Sequence, residues 1–242
     1  MRSAAIWLLG KVGSAARGTR PLLLAALKND SNGRVRAAAA GALGAIGPTG
    51  DERLALIDAL RDVDPAVRKQ AAYALEPKAE ELAPLLERDL SASAADVRWK
   101  AADTLRWIGS GAPAKVLPLL TRALEDDDPR VRSTSARGLG ATGEAALPAL
   151  RAALRHKDPG VRAAAAEAIS DLGFRAAEGL LSLIEALKDA EVGVRSSAVR
   201  ALAVLGSEAK AAVESLQAIA QSDPSSDVRA LAEAAIRSIL GR

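Results

Sequence analysis

The sequence predicts an all-α protein, a solenoid of about seven helix–turn–helix repeats preceded by part of another. Three observations carry this. A Val-Arg pair recurs along the whole chain, at Val35-Arg36, Val67-Arg68, Val97-Arg98, Val131-Arg132, Val161-Arg162, Val194-Arg195 and Val228-Arg229, with steps of 32, 30, 34, 30, 33 and 34 residues. Hydrophobic residues make up 49% of the chain but aromatics only 2%, so the apolar mass is Ala, Leu, Val and Ile. That composition suits thin, closely packed helices better than a core of a few bulky side chains. Finally, Gly recurs eleven residues after five of the seven arginines, where a helix would end.

With each Arg taken as position 0, position +3 is Ala39, Ala71, Ala101, Ser135, Ala165, Ala198 and Ala232. Position +7 is Leu43, Leu75, Leu105, Leu139, Ile169, Leu202 and Ile236. Apolar residues at −1, +3, +7 and +10 form the stripe of an amphipathic helix. Asp64-Pro65, Asp128-Pro129, Asp158-Pro159 and Asp223-Pro224 mark its start. Asp accepts from the free amides of the first turn, and Pro lacks an amide that would be unpaired there. Gly47, Gly109, Gly143, Gly173 and Gly206 at +11 are expected to end the helix in a left-handed conformation. Before each such helix lies another apolar segment, beginning for example at Pro21, Pro84, Pro118 or Pro148. The unit is thus a first helix, a turn and a second helix. The expected boundaries, within one domain spanning 1–242, are a partial repeat at 1–13 and repeats at about 14–47, 48–77, 78–109, 110–143, 144–173, 174–206 and 207–242.

The pattern resembles the HEAT-like repeats related to those of phycobilin lyases, and the resemblance covers the whole chain. It implies a right-handed superhelix of helix pairs and, for function, a binding scaffold. Such arrays serve many tasks, so the resemblance alone names no partner. At the amino end Arg2, Ala5, Leu9, Val12 and Gly13 match positions 0, +3, +7, +10 and +11. The chain is therefore expected to begin inside a second helix, as a piece of a longer protein. Apolar Ile6, Leu8 and Leu9 are unlike a polar capping repeat and predict self-association through this end.

Several function classes are excluded by composition. There is no Cys and one His, His156, so disulfides, thiolate or His-cluster metal sites and His-dependent triads are all ruled out. HEAT-like hydroxylases that hold iron through His-Glu pairs fall by the same count. Gly is dispersed at helix ends, leaving no phosphate-cradling loop. No apolar run is long enough to span a membrane. The expectation is a cytoplasmic non-enzyme with no cofactor and no metal.

In a superhelix of this kind one ridge of each second helix lines the concave side. At about 100° per residue, positions +1, +5 and +8 lie opposite the core stripe. Three of the five aromatics, Trp7, Tyr73 and Trp99, fall in this column, with Trp107 at its edge. Bulky residues placed away from the core point to binding. The candidate partner-binding residues are Trp7, Lys69, Tyr73, Trp99, Asp103, Arg106, Trp107 and Arg137, flanked by small residues that leave room for another protein or a peptide. The competing reading is that the aromatics fill gaps between Ala-rich helices.

The recurring Arg has a different expected role. It sits in the first helical turn, where the dipole disfavours a cation. Asp62, Asp64, Asp126 to Asp128, Asp158, Asp189 and Asp223 in the preceding turns are expected to compensate it in an Arg–Asp ladder that joins repeats. His156 is expected to be an exposed loop residue. Two alternatives to the scaffold remain. Alkylpurine DNA glycosylases of the HEAT-like fold use Trp, Asp and Arg in a cleft, and Trp99, Asp103 and Arg137 are similar to these in type and rough spacing. Yet a net charge of +3 with Glu76 and Glu167 in the column gives no basic stripe, so nucleic acid is not the expected partner. The resemblance to lyase repeats also allows a helper subunit of a lyase-type enzyme.

Overall fold

The computed structural model of the protein describes residues 2–12, 17–173 and 179–241. Among these, every regular element is helical, and they form two compact units, 1–112 and 113–242. No helix among the described residues is long and apolar enough to cross a membrane.

In the first unit α1 (Arg2–Val12), α3 (Gly33–Ile46), α5 (Pro65–Leu75) and α7 (Ala95–Ile108) are second helices. Each packs on the next, α1 on α3, α3 on α5 and α5 on α7. The first helices α2 (Arg20–Asn29), α4 (Gly50–Ala59) and α6 (Ala79–Leu90) lie against α3, α5 and α7 respectively. The second unit repeats the plan. Its first helices are α8 (Pro113–Ala123), α10 (Leu147–Ala153), α12 (Leu180–Ala186) and α14 (Val213–Ser222), and its second helices are α9 (Pro129–Gly140), α11 (Pro159–Asp171), α13 (Val192–Leu205) and α15 (Ser226–Leu240). Here too α9, α11, α13 and α15 pack in sequence.

The core follows the repeat. Val35, Val67, Val131, Val161, Val194 and Val228 are buried at position −1, the small residues at +3 are buried beneath them, and Leu43, Leu75, Leu105, Leu139, Ile169 and Leu202 are buried at +7. First helices contribute Leu23, Leu56, Leu86, Leu120, Leu150, Leu183 and Leu216. Ala and Ser at +3 bring backbones close, so stability comes from many small apolar contacts and not from large side chains.

Helix starts obey the expected chemistry at three sites. Asp64, Asp128 and Asp158 accept from the amides of Ala66 (2.8 Å), Arg130 (2.8 Å) and Gly160 (2.7 Å). At the fourth the cap is Ser225, not Asp223. Asp223 instead accepts from the Ser225 amide at 2.9 Å and is held by Arg195. At the helix ends Gly47, Gly143, Gly173 and Gly206 take positive φ as expected. Gly109 does not; its φ is −56° and it leads into a 3₁₀ turn, Gly109–Gly111.

The ladder exists, with a different wiring from the one expected. Arg36, Arg132, Arg162 and Arg195 each bond backbone carbonyls of their own preceding turn and a carboxylate of the next repeat's turn. Arg195 is representative: its Nη1 donates to the Asp189 and Ala190 carbonyls (2.9 and 3.0 Å), while Nε and Nη2 donate to Asp223 (2.7 and 2.9 Å). Arg36 joins Asp62, Arg132 joins Asp158 and Arg162 joins Asp189 in the same way. The carbonyls of the turn offset the unfavourable dipole locally, and the carboxylate ties one repeat to the next. The hydrogen bond from Arg195 holds the Asp223 carboxyl below its ordinary value, with burial opposing it; Arg162 acts likewise on Asp189. At Asp62 and Asp158 burial is the largest influence and pushes the other way, but the hydrogen bonds from Arg36 and Arg132, aided by the turn amides, leave both carboxyls lowered.

His156 is not an exposed loop residue. Only 9% of its side chain is exposed, and its Nδ1 accepts from the Asp158 amide at 3.0 Å. It stands six residues before Arg162, where Asp62, Asp126, Asp189 and Asp223 stand before their own arginines and close the turn in the same way. The imidazole thus substitutes for an Asp carboxylate in the turn, with its Nε2 lying 3.3 Å from Glu125 Oε1.

Candidate partner-binding face

The regular stack sets the background against which one place in the first unit differs. Arg68 occupies position 0 of α5 and bonds the Asp62 and Val63 carbonyls of its own turn at 3.1 and 3.3 Å. The next turn, Ser91 to Ala94, has no carboxylate to complete the rung. Arg68 pairs instead with Asp103, on the inner part of α7, at 3.3 Å. Its guanidinium lies 4.7 Å from the centroid of the Trp99 ring. It is 97% buried, and its Nε has no hydrogen-bond partner. A ladder residue has become part of the second-helix face.

The other candidates of this unit gather around it. Arg106 donates to Asp103 at 2.9 Å and lies 3.9 Å over the Trp107 ring. Tyr73 meets Trp107 edge to face, with centroids 5.5 Å apart and planes at 71°. Lys69 sits 4.5 Å from the Trp107 centroid and 5.6 Å from that of Tyr73, and no carboxylate lies within ion-pair distance of it among the described residues. These are cation–π distances, and Arg and Lys stacked on indole are attracted by the ring quadrupole. Beside the cluster runs a groove of about 630 Å³ between α5 and α7, lined among others by Val63, Ala66, Arg68, Lys69, Trp99 and Trp107.

The expected residues therefore come together in part. Lys69, Tyr73, Trp99, Asp103, Arg106 and Trp107 form one cluster. Tyr73 is 44% exposed, while Trp99 and Trp107 are half-buried. Asp103 differs from expectation: it is 93% buried, because two guanidinium groups cover it, and it shapes the groove from below. Arg137 belongs to the second unit, on α9, where it pairs with Glu167 of α11 at 3.0 Å. The Trp7 side chain lies outside the described residues.

Position +8 also departs from the expected column. An added Cβ at Gly44 would stand 2.7 Å from the Ala74 Cβ, and one at Gly140 would stand 3.1 Å from the Ala168 carbonyl oxygen. Small +8 residues are thus wedged against the following second helix. A helical wheel with a single buried side misses this, because a helix inside a stack has neighbours on two flanks. Sequence reasoning also assigned Arg68 to the ladder and not to the site. The signal was present in the acid-free turn from Ser91 to Ala94.

Among the described residues no group of three or more His, Asp or Glu is placed to hold a metal ion. The arrangement offers stacking surfaces, cations and one fully engaged carboxylate.

Paired helices stacked through a repeated Val-Arg turn, with aromatic and cationic side chains gathered on the second-helix face, define an α-helical repeat protein. The chain belongs to the HEAT-repeat family: the profile described as HEAT repeats matches residues 1–76, 53–133, 116–183 and 147–237, together nearly the whole chain. No curated protein matches it in sequence. Among solved structures, an engineered protein is similar at 21% identity and a TM-score of 0.52, over 92% of this chain and 96% of that one. The complex of CpcE and CpcF of phycocyanin lyase from Nostoc sp. is similar at 23% identity and a TM-score of 0.53, over 64% of this chain and 98% of that one. Kap95p, in a structure of its complex with RanGDP, is similar at 15% identity and a TM-score of 0.57, over 99% of this chain and 38% of that one. At these identities the likeness shows the fold.

Proposed function

We propose that the protein is a non-catalytic interaction scaffold that binds another protein or a peptide on the face lined by its second helices. Its main contact is the groove between α5 and α7, lined by Lys69, Trp99, Asp103, Arg106 and Trp107, with Tyr73 packed against Trp107 beside it. One observation carries this reading. At the single acid-free turn of the first unit, Arg68 leaves the ladder and joins a cluster of five aromatic and cationic side chains beside an open groove. Trp, Tyr and Arg are the residue types that dominate interface energetics, and in this aromatic-poor chain three of five aromatics gather here. HEAT repeats commonly bind proteins, and the CpcE and CpcF chains are themselves found as a complex, which agrees with a binding role. Arg137, paired with Glu167 in the second unit, is a further contact on the same kind of face.

The test is affinity capture from source-cell lysate with wild type, a Tyr73→Ala/Trp99→Ala variant and a Leu22→Ser/Leu54→Ser control. Leu22 and Leu54 are 71% and 62% exposed on first helices. A partner lost only from the aromatic variant supports the proposal. A partner lost only from the control moves the binding surface to the first helices.

A further inference from the structure

Four cations line the groove between α5 and α7, namely Arg68, Lys69, Lys100 and Arg106, against two carboxylates, Asp96 and Asp103. Pairing removes part of this charge. Lys100 is matched by Asp96 at 2.9 Å, and Asp103 serves both Arg68 and Arg106. One carboxylate shared by two guanidiniums, next to an ammonium with no carboxylate of its own, leaves a local excess of two positive charges over the Trp107 and Trp99 rings. Arg68 Nε and Trp107 Nε1 are buried donors without acceptors, closed to an entering ligand, so the excess charge is what recruits one. The part of the lining at the start of α5 is apolar: Val63, 83% exposed, with Pro65 and Ala66.

We infer that the groove takes an acidic peptide segment of a partner protein, whose Asp or Glu carboxylate seats between Lys69 and Arg106 while a neighbouring apolar side chain covers Val63. This rests on the groove being the partner-binding site and names the chemistry of the occupant. A carboxylate fits the excess charge and offers acceptors, and bidentate pairing with a guanidinium adds geometric selectivity. Tyr73, Trp107 and Trp99 shield the pairs from water, where a charge pair is worth more than on an open surface. A nucleic acid strand fits less well. It needs a track of cations following a backbone of phosphates, whereas this excess is confined to one cluster and Asp96 borders it.

The test uses the full chain with ¹⁵N-labelled tryptophan, whose indole resonances report the groove directly. Three probes are titrated in: a blocked peptide of alternating Glu and Ala, the matching Gln-Ala peptide, and single-stranded oligothymidylate. The Glu-Ala peptide is expected to shift the Trp99 and Trp107 signals, and Lys69→Glu is expected to weaken that binding at least about tenfold, the more so at low salt. A fourth probe, a Lys-Ala peptide, is added for the Lys69→Glu variant alone, and its binding there would further support charge pairing. Equal shifts from the Gln-Ala peptide overturn the acidic anchor while leaving the groove as a peptide site. Shifts from oligothymidylate alone overturn it in favour of nucleic acid. Indole signals that respond to no probe overturn both the acidic anchor and the groove.

Discussion

The rung between Arg195 and Asp223 carries a quantitative prediction. Asp223 is 99% buried on its side chain and Arg195 is 89% buried, and their two hydrogen bonds are joined by two from the guanidinium to turn carbonyls. Arg195→Ala removes all four and strands a buried carboxylate whose remaining partners are the Ser225 amide and neighbouring positive charge. Breaking one side of a buried pair costs about 3–5 kcal/mol. Because the Asp223 carboxylate keeps an amide donor and stands near Arg229, about 2–4 kcal/mol is expected here. In a repeat stack the loss should be local before it is global. The assay is therefore a double-mutant cycle with Asp223→Ala, read by urea unfolding and by hydrogen exchange of the α13 and α15 amides. The cycle should return a coupling of about 1.5–3 kcal/mol. An Arg195→Ala variant within ~0.5 kcal/mol of wild type, with unchanged exchange in both helices, would refute a stabilising ladder.

Other perturbations have equally definite outcomes. The Ser135 hydroxyl is fully buried without a partner at a position that is Ala in every other repeat, so Ser135→Ala should stabilise by about 1 kcal/mol in the same unfolding assay; a destabilised variant would mean the hydroxyl is satisfied. Gly44→Ala places a Cβ 2.7 Å from that of Ala74 and 2.9 Å from its Cα, and the forced separation of α3 and α5 should cost about 1–3 kcal/mol; an unchanged melting curve would contradict the close approach. Asp62, Asp158, Asp189 and Asp223 all have carboxyls lowered from an ordinary 3.8. A depressed folded value means the contribution is complete above pH 4 and is lost as pH falls through the lower folded values. Acid unfolding should accordingly begin below about pH 4 and shift to higher pH in Arg162→Ala, where Asp189 loses the cation that lowers it; an unshifted acid transition would count against that coupling.

Much of the fold was legible because the chain repeats itself. One Val-Arg turn is ambiguous, but seven copies at nearly constant spacing fix the helix phase, the buried stripe and three of the four expected Asp caps. What escaped the sequence concerned neighbours in space. The reach of Arg36 to Asp62, or of Arg195 to Asp223, crosses from one repeat to the next, and sequence proximity had suggested the preceding turn. The role of His156 was hidden by residue type, since only the geometry reveals an imidazole accepting where other repeats use Asp. Gly44 and Gly140 were read as open groove because a wheel ignores the second flank of a stacked helix. At the site, the aromatic residues were found from rarity and helical phase. Arg68 was missed because its neighbour-dependent partner, absent from Ser91 to Ala94, was not sought.

The most direct measurement of the central claim is photocrosslinking in source-cell lysate, with a photoreactive residue placed at Lys69 on the second-helix face or at Leu54 on a first helix. The groove account predicts a discrete partner crosslinked from Lys69 and lost when Trp99→Ala is added, with no such product from Leu54. A discrete product from Leu54 alone would contradict it and place recognition on the first helices.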